Sequence, residues 1–324
     1  MSTDALHLGI LSAATIAHKN VRAILKTPAV EVVAVASKTP DKAETLIKDF
    51  GLEGKAKAYG SYEQLLDDPN VHAVYIPLPA GLRPEWVCKA AAKGKHVVGE
   101  KPVALSVKET DELVAACKKH GVQYMDGSMW LHNPRTAEMR KVIDSQIGTP
   151  RTVITTLSLP VEDIPGFQEA SIRCHKHLDG LGALGDLGWY NVAVSLWAFN
   201  YDKPIQVQAH IGPKFCDGGT LMRCGANLLW EDGRRASLSL GYDRGLTQYA
   251  QVCGTEGVLE WNDYGIPHRE DKAEYTVKNA GMFIDLYTKV GQDIETKQVN
   301  LEQPQEVHMW ENFAKQVLSK MSPH

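Results

Sequence analysis

"GILSAATIAHKN" (Gly9–Asn20) follows the apolar "LHL" (Leu6–Leu8) and shortly precedes the β-branched run "VEVVAVAS" (Val30–Ser37). Apolar residues at Ile16, Val21, Ile24 and Leu25 have helical spacing, so the order is strand, short turn, helix, strand. Such a turn aims the N–H groups of a helix start away from the sheet, where they attract phosphate. On the frame G-x-G-x-x-G/A the three key positions are Ser12, Ala14 and Ala17. Both leading glycines are replaced. Small side chains leave room for a pyrophosphate and Ser12 adds a hydroxyl, but alanine does not readily supply a positive φ. By itself the segment fits a nucleotide loop and a plain strand-to-helix turn equally well.

The pattern continues outward from that turn. "DKAETLIKDFG" reads as a helix stopped by Gly51, and "SYEQLLDD" as one capped by Ser61. "VHAVYIPL" is a strand, and "PEWVCKAAAKG" is a helix with Pro84 in its first turn and Gly94 past its end. "HVVGEKP" is a strand, "SVKETDELVAACKKHG" a helix between Ser106 and Gly121, and "VQYMDGS" another strand. Apolar strands separated by helices predict a doubly wound parallel sheet covered on both faces.

After Pro134 the pattern changes. One helix runs through "RTAEMRKVIDSQIG". Strands then follow at "RTVITTLSL", "IQVQAHIG", "MRCGANLLW", "RRASLSLGY", "YAQVCG" and "GVLEWND". "WEDGR" carries an Asp-Gly turn and "GTEG" joins two more strands, which predicts an antiparallel sheet. A glycine-rich helix start, "LDGLGALGDLGWYNVAVSLWAF", lies within this half. The expected architecture is α/β: an N-terminal doubly wound domain over residues 1–130 and a C-terminal α+β domain with an open antiparallel sheet over 131–324.

Composition narrows the function classes. The chain has 324 residues, 44% hydrophobic and 23% charged, with a net charge of −4 and no basic block, which argues against nucleic acid as a partner. No apolar run is long enough for a bilayer, and the N-terminus lacks a secretory pattern, so no membrane partner and a cytoplasmic location are expected. The six cysteines (Cys88, Cys117, Cys174, Cys216, Cys224, Cys253) include no C-x-x-C pair, so neither a metal cluster nor a disulfide framework is expected.

Ligands of doubly wound sheets bind at the carboxyl ends of the strands, so residues there are the candidates. About 20 residues past the loop, where an acidic residue would hold the ribose of NAD, the sequence reads Ser37-Lys38-Thr39. Two hydroxyls and a cation favour the 2′-phosphate of NADP over NAD, although Lys38 also fits a solvated loop. "GEKP" (Gly99–Pro102) ends a strand and carries Lys101 to the same sheet edge, next to a nicotinamide. In "GDLGWY", Asp186 and Tyr190 are four residues apart and share a helical face beside glycines 180, 182, 185 and 188. Taken separately, Asp186 fits an N-cap and Tyr190 a core residue.

Together these motifs resemble the Gfo/Idh/MocA oxidoreductases. The resemblance runs from about Leu8 to "EVHMWENFAKQVL" and rests on the strand–loop–helix opening, on "EKP" and on D-x-G-x-[HY]. "YIPLP", "MDGSMWLHNPR" and "LDGLGALGDLGWY" are similar to plant-type members and to dimeric dihydrodiol dehydrogenases, which use Tyr where inositol dehydrogenases use His. The resemblance implies a Rossmann domain and an open-faced α/β domain. It also implies an active-site lysine at Lys101, a substrate-side pair at Asp186 and Tyr190, and Tyr190 as the acid/base. An unperturbed phenol, with a pKa of about 10, needs a neighbouring cation, the part assigned to Lys101.

On this reading the cofactor contacts are Gly9, Ser12, Ala13, Ala14, Thr15, Ile16, Ser37, Lys38, Pro77, Leu78, Pro79, Glu100 and Lys101, and the substrate contacts are Trp130, His132 and Arg173. No metal is expected. The function implied is NADP-dependent hydride transfer at a carbinol or carbonyl of a small molecule, a sugar, polyol or cyclic diol, by a homodimer. The alternative is a dinucleotide-binding sensor of the same fold without turnover. Relatives usually continue into a further helix that packs back on the first domain. The chain ends at "LSKMSPH", so that closing helix is expected to be absent.

Overall fold

The computed structural model describes residues 5–279, 281 and 292–321. Contacts divide the chain into two compact units: Met1–His132 with His177–Asp179 and Pro304–His324, and Asn133–Lys176 with Gly180–Gln303.

The first unit alternates strands and helices as predicted: β1 (Leu6–Leu11), α1 (Thr15–Ile24), β2 (Val30–Ala36), α2 (Pro40–Asp49), β3 (Lys57–Tyr59), α3 (Tyr62–Leu66), β4 (Ala73–Ile76), α4 (Arg83–Ala92), β5 (His96–Gly99), α5 (Val107–Lys119) and β6 (Tyr124–Asp126). All pairings are parallel and the strand order is β3-β2-β1-β4-β5-β6. The topology reverses between β1 and β4, which opens a crevice at the carboxyl edge. Strand β3, only three residues long, had no signal in the sequence. The helix signals hold locally. Ser61 Oγ accepts from Gln64 N (3.2 Å) and Ser106 Oγ from Glu109 N (3.2 Å). Gly51, Gly94 and Gly121 take φ of +62°, +71° and +68° just past their helices.

The second unit holds α6 (Pro134–Val142), continued by a π turn (Ile143–Ile147), then β7 (Pro150–Pro160), α7 (Phe167–Ala170) and α8 (Lys176–Asp179), whose last three residues cluster with the first unit. A second π turn (Leu184–Gly188) leads into α9 (Trp189–Ala198). The strands are β8 (Gln206–Ala209), β9 (Lys214–Phe215), β10 (Leu221–Leu229), β11 (Arg235–Gly241), β12 (Asp243–Gly254), β13 (Gly257–Asn262), β14 (Lys272–Asn279) and β15 (Ile294–Asn300). Their order is β15-β14-β13-β12-β7-β11-β10-β8, with β9 on β10. The sheet is antiparallel except where β11 pairs parallel with β7. A parallel pair needs a long crossover, and the chain between β7 and β11 holds the helices and β8–β10. Alternation buries Ala236, Leu238 and Leu240 of β11 and Leu259 and Trp261 of β13 on one face. Helix α9 covers that face, and Asn191 Nδ2 donates to Thr155 Oγ1 on β7 (3.1 Å).

The last helix, α10 (Gln305–Met321), corrects the expected partition. It was assigned with the second domain, but it packs on the first. Val307, Met309, Trp310, Phe313, Ala314 and Val317 are fully buried in one cluster with Leu6, Leu8, Ala17, Val21 and Ile24. At about 1.5–3 kcal/mol per large apolar side chain, this interface contributes on the order of 10 kcal/mol before entropy.

Candidate active site

The carboxyl edge of the parallel sheet carries most of the predicted residues. β1 ends at Leu11 and α1 begins at Thr15, so Ser12, Ala13 and Ala14 form the turn. The positive φ sits on Ser12 (118°), whereas Ala14 is extended (φ −69°, ψ 157°). Alanine is therefore unstrained at the second glycine position of the frame. Ser12 N donates to Ala36 O (2.9 Å), and its hydroxyl is within reach of the Tyr62 phenol. No side chain caps α1 and no acidic residue occupies its first turn, so the N–H groups near Thr15 and Ile16 are left for an anion. Gly9 lies inside β1, where a Cβ would come within 2.6 Å of Leu65 Cδ2, so its smallness serves packing against α3.

At the end of β2, Ser37 is buried and Lys38 exposed. They line a cavity of about 360 Å³ together with Gly60, Tyr62, Leu78 and Trp86. Trp86 stands edge-on to Tyr62 at 4.8 Å, offering an aromatic wall. Glu63 also lines the cavity, but its carboxylate pairs with Lys89 (3.4 Å).

Pro77, Leu78 and Pro79 follow β4, and Glu100 and Lys101 follow β5. A residue the sequence reading missed, Arg83, joins these two segments. It is 2% exposed and donates to Leu78 O (2.5 Å), to Pro102 O and to Val103 O (3.3 Å). Burial lowers the pKa of this guanidinium, and Glu100 and Asp179 are among the groups that favour its charge. Gly81 completes the turn. A Cβ there would lie 2.3 Å from His177 O, and Gly81 N donates to Leu178 O (2.8 Å). One signal for Arg83 was present: a cation in the first turn of a helix opposes the macrodipole and asks for another partner.

Trp130 and His132 fall in a 3₁₀ turn, Met129–His132, beneath α10. Trp130 is 2% exposed, and Asn312 Nδ2 lies 3.0 Å from His132 Nδ1. Burial lowers the His132 pKa and keeps the ring neutral. His132 therefore meets α10 through Asn312.

In the second unit, Asp186 lies in the π turn that opens α9, and Tyr190 lies one turn on. Turns of this kind recur at functional sites. Asp186 accepts from Arg173 Nη2 (2.9 Å) and from the Tyr242 hydroxyl (2.8 Å), so carboxylate, guanidinium and phenol form one array. The neighbouring glycines serve backbone packing: a Cβ at Gly182 would lie 2.3 Å from Leu221 O, and one at Gly180 2.6 Å from Lys176 O. Tyr190 is half-buried against Gly265, with Tyr264 beside it. The Tyr264 hydroxyl is buried without a hydrogen-bond partner among the described residues, and burial and Tyr190 together raise its pKa. Gln248 staples this turn by accepting from Ile266 N (2.7 Å) and donating to Ile266 O (2.8 Å). The sequence reading missed Tyr242, Gln248 and Tyr264, which only the sheet register brings to this place.

Among the described residues no group of three or more His, Cys, Asp or Glu side chains could hold a metal ion, and no helix is long and apolar enough to cross a membrane. All six cysteines are free.

Residues 6–128 match the model of an oxidoreductase family with an NAD-binding Rossmann fold, and residues 136–260 match the Gfo/Idh/MocA C-terminal domain. D-xylose 1-dehydrogenase (NADP(+)) 2 of Haloferax volcanii is 34% identical over 254 residues, 78% of this chain and 75% of that protein. Trans-1,2-dihydrobenzene-1,2-diol dehydrogenase of Xenopus laevis is 30% identical over 261 residues, 78% of this chain and 74% of that protein. A 3-ketoreductase from Actinomadura kijaniata, solved in complex with NADP and TDP-benzene, has the same fold, with a TM-score of 0.81 at 26% identity over 99% of this chain and 92% of that one. With both domain models matched and a relative 34% identical across most of its length, this chain belongs to the Gfo/Idh/MocA family of oxidoreductases.

Proposed function

We propose that this protein is an NADP-dependent oxidoreductase that acts on a carbinol or carbonyl carbon of a sugar, a polyol or a cyclic diol. One observation carries the reading. Along the carboxyl edge of one parallel sheet, in strand order β2, β1, β4, β5, stand the Lys38 cavity, the uncapped start of α1, the Leu78 loop and the Lys101 turn. That order fits the 2′-phosphate, pyrophosphate, ribose and nicotinamide of one extended dinucleotide. The strained Ser12 and the uncapped helix suit the pyrophosphate, and Lys38 beside Trp86 suits a phosphorylated adenosine. The relatives named for NADP(+) or solved with it support the choice of cofactor.

When bound, the nicotinamide supplies or takes up a hydride at C4. The chain has to move a proton at the substrate oxygen in the same event, and Tyr190 is the residue assigned to it. A phenol ordinarily titrates near 10, so the reading gives Lys101 the task of favouring the tyrosinate. Asp186 holds Arg173, whose guanidinium is the donor proposed for a substrate hydroxyl. Tyr190→Phe should remove most turnover, about a hundredfold or more for a lost acid/base, with NADP binding intact. The assay follows nicotinamide absorbance across a panel of sugars, diols and dicarbonyls. Full activity in that variant refutes the role of Tyr190, and tight NADP binding without turnover on any panel member refutes the enzyme reading.

The same proposal includes a homodimer. The face of the second sheet opposite α9 carries Ile154, Tyr249 and Gln251, half-buried or exposed in the single chain, and is suited to a second copy. A monomer mass in light scattering counts against it. Six unpaired cysteines suit a reducing cytoplasm.

A further inference from the structure

Four buried side chains run in series from α10 to the Lys101 turn. Trp310 Nε1 donates to Asn20 Oδ1 (2.9 Å). Asn20 Nδ2 donates to the Tyr75 hydroxyl oxygen (2.8 Å), and also reaches Ile16 O (3.3 Å). The Tyr75 hydroxyl donates to Glu100 Oε1 (2.6 Å). The other oxygen of Glu100 accepts from the Lys101 backbone N–H (3.2 Å). Asn20, Tyr75 and Trp310 are 0% exposed, and Glu100 is 7% exposed.

Chemistry fixes the direction of every proton in this chain. An indole N–H can only donate, so Asn20 must turn its oxygen towards Trp310. Its amide nitrogen then faces Tyr75, which accepts there and has its one proton left for Glu100. Both oxygens of Glu100 meet donors, Oε1 the Tyr75 hydroxyl and Oε2 the Lys101 amide. Gly127 leaves the carboxylate its seat, since a Cβ there would lie 3.2–3.3 Å from it.

We propose that Trp310, Asn20 and Tyr75 are positioning residues that hold Glu100 as an oriented carboxylate and, through it, fix the backbone at Lys101. The proposal rests on the assignment of Lys101 to the reaction. Without the indole N–H, only the longer bond from Asn20 Nδ2 to Ile16 O (3.3 Å) opposes a turn of the amide. Turned over, the amide offers its oxygen to the Tyr75 hydroxyl and draws that proton away from Glu100. A single donor on the last helix of the chain thus sets the hydrogen bonding of the active-site turn. A chain that merely packs would not need its donors all pointing one way.

The test uses Trp310→Phe, Tyr75→Phe and the double variant. Trp310→Phe keeps a ring edge-on to Tyr75, where the native pair stands at 5.4 Å and 89°. Two readouts are taken: kcat and the KM for NADP on the best panel substrate, and hydrogen exchange at the Lys101 amide by NMR in cofactor-free protein. Losing the Tyr75 bond to Glu100, directly in Tyr75→Phe and through the turned Asn20 amide in Trp310→Phe, should lower kcat about tenfold in each single variant, with KM changed less than about twofold. The double variant should be no worse than Tyr75→Phe, because both act through one chain. Lys101 amide exchange should quicken about tenfold in all three, a change that needs neither cofactor nor substrate. Losses that multiply to about a hundredfold, or an unmoved Lys101 amide, would overturn the proposal. Lys101→Met separates the two ideas. If it keeps full turnover while the amide still responds in the other variants, the role of Lys101 fails and the chain stands. If it is inactive and the amide does not respond, the chain fails and the role of Lys101 stands.

Discussion

Replacing Arg83 with Met should be among the most damaging single changes in the first domain that touch no ligand. The guanidinium is 2% exposed and satisfies carbonyls on both sides of the edge: Leu78 on one loop, Pro102 and Val103 on the other. Methionine keeps most of the apolar stem and removes every donor. Each buried acceptor left without a partner costs about 1–3 kcal/mol. The buried carboxylates of Glu100 and Asp179 also lose a neighbouring positive charge, and breaking a buried charge array typically costs about 3–5 kcal/mol. Release of the guanidinium from a dry site offsets part of this, so we expect a net loss of about 3–5 kcal/mol. For a unit of this size, at roughly 2–4 °C per kcal/mol, the melting temperature should fall by about 6–20 °C. Arg83→Lys should fall between, because a single ammonium cannot span both loops as the planar fork does. The assay is thermal unfolding by circular dichroism, with NADP affinity measured alongside by nucleotide fluorescence. A melting temperature within about 2 °C of wild type, with unchanged affinity, would refute the clamp.

Lys38→Glu should weaken NADP roughly 10–100-fold while NAD changes little, since it removes one charge-assisted contact and adds a repulsion; equal losses for both cofactors would remove Lys38 from the 2′-phosphate. Gly81→Ala puts a Cβ 2.3 Å from His177 O, a backbone atom that cannot swing aside, and should cost about 1–3 kcal/mol in a denaturant titration. The pH dependence follows from His96. Its Nδ1 accepts from Gln123 N (2.9 Å), and burial lowers its pKa, so the folded protein keeps the ring neutral. The unfolded chain then binds more protons in acid, and stability rises with pH across that window. It should be fully present above the unfolded value of about 6.5 and decline as pH falls below it. Melting curves between pH 8 and 5 should show the decline, and His96→Asn, with an amide oxygen available to accept from Gln123, should flatten it.

Much of the first domain was legible because its rules are local. Helix caps at Ser61 and Ser106, glycines after helices and apolar strands each announce themselves within a few residues. The "EKP" turn after β5 and the one-turn spacing of Asp186 and Tyr190 at the start of α9 were legible for the same reason. What failed depended on distant partners. "KAEYTVKN" alternates cleanly, with Ala273, Tyr275 and Val277 buried, yet went unread as β14 because charged residues dilute its signal. The parallel pairing of β7 with β11 carries no local mark. The glycines at 180 and 182 allow close approach by a ligand or by another backbone, and the backbones they admit are those of Lys176 and Leu221. Arg83 went unread because two of its three carbonyl acceptors, Pro102 and Val103, lie on another loop. Helix α10 was placed in the wrong domain because an amphipathic pattern shows that a face is buried, not against what.

The glycine-poor loop after β1 shows where a motif and its physics part company. The fingerprint asks for glycine at two leading positions, but here only one carries the unusual backbone: Ser12 at φ 118°. A non-glycine residue in such a conformation costs on the order of 1–3 kcal/mol and persists only where its surroundings over-determine it. The surroundings do so twice, through the Ser12 amide on Ala36 O and the hydroxyl near Tyr62. Ala14 needs no such support, since its extended conformation is open to any residue. Ala17, at the third position, is fully buried between α1 and the sheet, where a methyl group fills space that glycine would leave empty. The requirement encoded by the glycines is therefore one strained turn and two close approaches, and serine and alanine meet it when a neighbouring strand and a tyrosine hold the strained residue in place. Judging such a loop by its glycine count mistakes the usual means for the condition they serve.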